Sequence, residues 1–245
     1  MGKARSALKL YCNALGRLRH SKGFGIHSPF AFSFVLRVLR EKCAYYAYAD
    51  IAARRRLAQK LIASGFKGSD SPRIISLKNA RMLFRIVCYF NPKNIMQIGT
   101  SYGVSTSAAL DVSTSSRLII YRGTDAYNGI FDAVTEKYVG RISEAASVDD
   151  AFLRYFDVNR DGRDFLMVNS LDDDRAVDDC TRHASRLLDR EGVIVARNLL
   201  SDERVVRFVR NVTESLTHGM TFTNGRLIII VGYKHLPRQR FNLWF

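Results

Sequence analysis

Gly99 and Gly103 bracket the stretch of this chain that is best suited to hold a ligand. Before them runs the short apolar segment Ile95-Met96-Gln97-Ile98, and after them the small-residue run Val104-Ser105-Thr106-Ser107-Ala108-Ala109-Leu110. The pattern predicts a strand, a glycine turn and a helix. Gly99 allows a sharp turn, Gly103 allows a ligand or backbone to approach closely, and the first amides of the helix point into the crevice at the strand's carboxyl end. Thr100, Ser101, Tyr102, Ser105 and Thr106 complete the loop and the first helical turn. The spacing is not the Gly-x-Gly-x-x-Gly of dinucleotide enzymes, and no Gly-Lys-Ser/Thr follows, so a phosphate loop is not indicated.

Other groups could do chemistry as well. His27, between mobile-looking glycines and the helix-start pair Ser28-Pro29, could serve as a lid residue and base near neutral pH, or simply satisfy backbone groups where a helix begins. Asp172-Asp173-Asp174 could suggest metal ligands, but an acidic run at a helix start is more simply dipole compensation. Three consecutive arginines, Arg54-Arg55-Arg56, cannot share one helix face and read as solvated surface. Cys12, Cys43, Cys88 and Cys180 lack Cys-x-x-Cys spacing. Neither a zinc site nor a disulfide framework is indicated, and a reducing, cytoplasmic setting is expected.

Gln97-Ile98-Gly99-Thr100-Ser101-Tyr102-Gly103-Val104-Ser105-Thr106 resembles the first motif of class I S-adenosylmethionine-dependent methyltransferases, in the O-methyltransferase-like branch. The segment Gly25-Ile26-His27-Ser28-Pro29-Phe30 with Tyr45-Tyr46 resembles the N-terminal extension of an uncharacterised Bacteroidetes-type group of such proteins. The resemblance implies an α/β, Rossmann-like, doubly wound seven-stranded sheet with its last strand antiparallel, plus an N-terminal helical cap. It implies S-adenosylmethionine as cofactor and a small acceptor methylated on oxygen or nitrogen. Four positions depart from it: Gln97, Arg122, Asn169 and Arg197 stand where the resemblance implies acidic residues. At Arg122 a ribose-binding carboxylate is replaced by a group that accepts no hydrogen bond. Asn169 keeps the shape of a catalytic aspartate without its charge, and of the implied metal-binding residues only Asn198 is kept, so no metal is expected. Two readings therefore stand beside an active enzyme: an inactive relative that binds partners through a basic cap, and a crevice that holds an anionic nucleotide.

The elements that must position these residues can be read in chain order. The 245 residues carry a net charge of +15. Residues 1–85 hold 18 Lys/Arg and three acids, Glu41, Asp50 and Asp70, whereas residues 86–245 hold 20 of each sign. The entire excess lies in the first third, which sets a basic helical cap, residues 1–72, apart from an α/β domain, residues 73–245, whose charges from residue 86 onward sum to zero. The cap could meet an anionic surface or nucleic acid. An amphipathic helix is predicted from Ala4 to Leu18, others over Pro29–Lys42 and Ala49–Ser64, and a Gly/Ser/Pro linker over Gly65–Arg73. In the body, helices are expected at Asn79–Phe90, Ile130–Tyr138, Arg175–Asp189 and Asp202–Thr217. Strands are expected at Arg117–Tyr121, Val139–Ile142, Asp164–Asn169 and Val193–Ala196. Asn224-Gly225 between Met220–Thr223 and Arg226–Ile230 signals a hairpin. No apolar run is long enough to span a bilayer.

Overall fold

The computed structural model describes residues 26–65, 74–99, 101–123, 128–160 and 163–245. The helix expected at Ala4–Leu18, the 65–73 linker and Thr100 lie outside these residues, apart from Gly65. The first described element is α1 (Pro29–Phe34), where Ser28 Oγ accepts a bond from the Ala31 amide and Pro29 occupies the first turn. It continues as a π-helical turn, Val35–Leu39, and stops at Arg40. Helices α2 (Ala47–Gly65) and α3 (Leu77–Phe90) follow. Ser76 caps α3 at one end, and Asn91, in the left-handed region, ends it.

The body is one eight-stranded sheet in the order β3-β2-β1-β4-β5-β7-β6-β8. Its strands are β1 (Asn94–Ile98), β2 (Arg117–Tyr121), β3 (Ile142–Ala145), β4 (Phe165–Val168), β5 (Val193–Arg197), β6 (Met220–Thr223), β7 (Leu227–Val231) and β8 (Gln239–Asn242). Only β7 runs against its neighbours; β8 lies parallel to β6. The expected seven strands with an antiparallel seventh are present, and an eighth is added at the edge. There Phe241 stacks on Phe222 with centroids 5.1 Å apart. The third strand sits three residues later than expected, because Glu136–Arg141 forms a 3-10 helix.

Helices cover both faces. α4 (Val104–Leu110) and α5 (Asn128–Thr135) lie beside α3, while α6 (Val148–Val158), α7 (Asp174–Asp189) and α8 (Glu203–Ser215) cover the other face. Phe34, Val35, Val38 and Leu39 share the sheet's core with Phe222 and Ile229, so α1 and the π turn pack directly on the α/β body. α2 packs through Ile51 and Ala58 onto a cluster that includes Phe84, Ala108 and Val134. Arg85 ties these pieces together, donating to Val38 O (2.6 Å), Leu39 O (3.2 Å) and Tyr48 Oη (2.9 Å). Arg54 and Arg55 are not the solvated surface expected of them. Arg54 donates to Val134 O at 2.8 Å and stacks on Tyr138, and Arg55 donates to Ile75 O at 2.9 Å. Among the described residues no helix is long and apolar enough to cross a membrane.

Candidate functional site

The sheet's strand order reverses between β1 and β4, and the crevice of a doubly wound sheet opens at such a point. Side chains alternate along a strand, so Gln97 shares a face with Ile95, Asn169 with Met167, Arg197 with Val195 and Arg122 with Ile120. All four reference residues belong to the core cluster on the α3 and α4 side. Gln97, Arg122, Asn169 and Arg197 therefore gather on one face, at the carboxyl ends of their strands.

Three of the described residues in the loop between β1 and α4 are left-handed, Gly99 (φ 78°), Ser101 (φ 51°) and Gly103 (φ 74°). A Cβ on Gly99 would come within 2.1 Å of Ser170 Oγ and 2.7 Å of the Ser170 amide nitrogen, so only glycine fits. Gln97 is fully buried and acts as a strut. Its Nε2 donates to Gly99 O at 2.9 Å, and its Oε1 accepts from Thr106 Oγ1 at 2.9 Å. Asn169 holds the same carbonyl from the other side at 3.0 Å and reaches Ser105 Oγ at 3.4 Å. Gly99 O thus accepts two bonds, which uses the normal capacity of a carbonyl. Asn198, at φ 65°, donates to Asn169 O at 2.7 Å. Tyr102 is buried against the α2 cluster and joins the loop to the cap.

The two arginines differ. Arg122 forms ion pairs with Asp132 of α5 at 2.8 Å and Glu144 of β3 at 2.9 Å, and lies over the Phe131 ring. Its charge is compensated from within the protein. Arg197 is 5 % exposed and donates to Asn169 Oδ1 at 3.1 Å, with no carboxylate in ion-pair range among the described residues. Burial alone pushes its guanidinium down to about 10, so it remains charged at neutral pH.

The acidic run splits into three roles. Asp173 caps α7 by accepting from the Ala176 amide at 2.7 Å, and Asp174 pairs with Arg207. Asp172 reaches back across the crevice to the end of β2, where Tyr121 Oη donates to it at 3.3 Å. A Cβ on Gly123 would fall 2.3 Å from an Asp172 oxygen, so the missing side chain makes room for this carboxylate. In the sequence Asp172 reads only as one of three helix-start acids, because nothing local distinguishes it from the two beside it.

His27 does not join the site. It is exposed, and its neighbour Ser28 meets Met220 Sδ at 3.8 Å. Met220 opens β6 and pairs with Val231, which in turn pairs with Val193 at the start of β5. His27 therefore lies toward the amino-terminal edge of the parallel strands, opposite the crevice, and is no lid over it. The donor set also does not suit a divalent cation, because Asn169 and Asn198 flank a guanidinium.

Solved structures share this architecture. A Staphylococcus aureus protein assigned as a caffeoyl-CoA O-methyltransferase aligns with a TM-score of 0.54 and 13% identity over 80% of this chain and 95% of its own. The S-adenosylhomocysteine-bound methyltransferase PaMTH1 of Podospora anserina gives 0.53 and 11% over 85% and 97%. A Bacillus cereus O-methyltransferase in complex with S-adenosylhomocysteine gives 0.51 and 15% over 81% and 96%. By sequence, no family model and no curated protein matches the chain. The fold is that of class I S-adenosylmethionine-dependent O-methyltransferases.

Proposed function

We propose that this protein is a methyltransferase of the class I type, moving a methyl group from S-adenosylmethionine to oxygen or nitrogen of a small acceptor without a metal ion. The observation that carries the reading is the place of Asp172. Its carboxylate sits at the end of β2 beside Gly123, so an acceptor for ribose hydroxyls is supplied from β4's loop although Arg122 occupies the expected position. The left-handed turns of Gly99, Ser101 and Gly103 shape the neighbouring loop for the rest of the cofactor, and the neutralised Arg122 adds little repulsion. When bound, S-adenosylmethionine supplies the activated methyl group. Asn169 fixes the glycine loop and supplies no base, and His27 is remote, so catalysis rests on positioning an acceptor that is already nucleophilic. Calorimetric titration with S-adenosylmethionine and S-adenosylhomocysteine tests this. Binding is expected, and Asp172→Asn should weaken it about tenfold to a hundredfold, the worth of one charged hydrogen-bond partner.

One observation favours a second reading. A buried cation without a carboxylate partner is costly, and Arg197 stands in that state at the crevice. In this reading the protein is an inactive relative whose crevice takes an anionic nucleotide, with Arg197 against its phosphate. ATP would then bind and both sulfur nucleosides would not, and Arg197→Gln would abolish the ATP heat. The same titration series separates the two readings.

A further inference from the structure

The eighth strand extends the sheet beyond its last helix. α8 packs on α7 and on β5, so it leaves part of the face of β6 and β8 uncovered. On that face the register places Thr221 beside Arg240 and Thr223 beside Asn242, while Met220 and Phe222 turn to the opposite core. Between this strip and α8 lies a groove of about 590 Å³, a volume within the range typical of small-molecule sites. Val209, Leu216 and Ile228 supply its apolar wall. Three guanidinium groups, Arg210, Arg238 and Arg240, line it against a single carboxylate, Glu214. Arg238 is anchored by a bond to Thr213 O at 3.1 Å, while neither Arg210 nor Arg240 has a carboxylate in ion-pair range among the described residues. Thr221 Oγ1, on the floor, is buried with no hydrogen-bond partner. Buried hydroxyls are normally satisfied, so this is a polar group waiting for a contact.

We propose that this groove is a second ligand site, separate from the strand-end crevice, for a small amphiphilic anion with a phosphate or carboxylate head and a short apolar body. The arginines take the head in the forked geometry that suits both groups, and the wall of Val209, Leu216 and Ile228 takes the body. Such a ligand could be a free phosphorylated metabolite or the headgroup region of a lipid, and the test distinguishes them. Hexyl phosphate is titrated calorimetrically into the full chain, with inorganic phosphate and hexanol as single-feature controls. One-to-one binding is expected for hexyl phosphate, at least tenfold tighter than for either control. Arg210→Gln combined with Arg240→Gln, both exposed and fold-neutral by position, should weaken it at least tenfold. Thr221→Val keeps the shape of the floor and should weaken it several-fold without lowering the unfolding midpoint. Co-sedimentation with phosphatidylglycerol vesicles that falls in the double variant assigns the site to a lipid headgroup; sedimentation indifferent to it assigns the site to a free anion. Absence of hexyl phosphate binding, or binding unchanged in the double variant, overturns the proposal.

Discussion

Gln97 shows how a neutral side chain at the end of a buried strand can be fully used. Both ends of its amide are bonded inside the protein, one to the glycine loop and one to the first turn of α4. Replacing it by leucine of similar size leaves the Thr106 hydroxyl and one side of Gly99 O unmatched in a buried setting. The expected cost is about 1–3 kcal/mol, seen as a lower urea midpoint with an unchanged slope. Arg122 leads to an opposite expectation from the one its sequence position suggests. Restoring a carboxylate there with Arg122→Glu would set three acids together at Asp132 and Glu144, so the variant should melt lower and gain no cofactor affinity. The departures at Gln97 and Arg122 were legible in the sequence, because each follows a recognisable strand. Their meaning was not, since Asp132 and Glu144 reach Arg122 only through folding, as Asp172 reaches Tyr121 at the end of the same strand.

At the scale of elements, α6 and α7 are joined by a clasp. His183 of α7 stacks on Phe152 at 4.5 Å and bonds Asp149 of α6 at 2.6 Å, with Arg182 reaching the same oxygen at 3.0 Å. The His183 bond, then Arg182, holds the Asp149 carboxyl below its ordinary value of 3.8. A depressed carboxyl adds stability above its unfolded value and loses it as pH falls through the folded one. Amide protection in α6 and α7, measured relative to the intrinsic exchange rate, should therefore fall selectively below about pH 4, and Asp149→Asn should remove that selective change. The clasp joins residues 34 positions apart and leaves no local mark in the sequence, whereas α6 does carry one, since Val148, Ala151, Phe152, Tyr155 and Phe156 recur at helical spacing. The buried strands were plain because continuous apolar runs such as Phe165–Val168 have little alternative in a parallel sheet. The edge strand β8 was hidden for the converse reason. Gln-Arg-Phe-Asn carries one apolar residue, and it becomes a strand because Phe241 finds Phe222 and β6 offers an open edge.

For the molecule as a whole, the unequal charge of its two parts needs a different account from the one composition suggests. Some of the basic residues before residue 86 are structural: Arg54, Arg55 and Arg85 each bond backbone carbonyls and hold the cap to the body. These arginines are not available to an anionic partner, although they raise the local potential. The remaining excess includes the lysines and arginines of residues 1–22, which lie outside the described part of the chain. If that excess serves to meet a polyanion, deleting residues 1–20 should lower the salt concentration needed to elute the protein from heparin. Arg85→Gln should lower the unfolding midpoint and leave the elution almost unchanged, because it unties the π turn and α2 from α3 and removes a single charge. Elution unchanged by the deletion would leave the basic segment without a role in anion binding and place the positive field on the folded body.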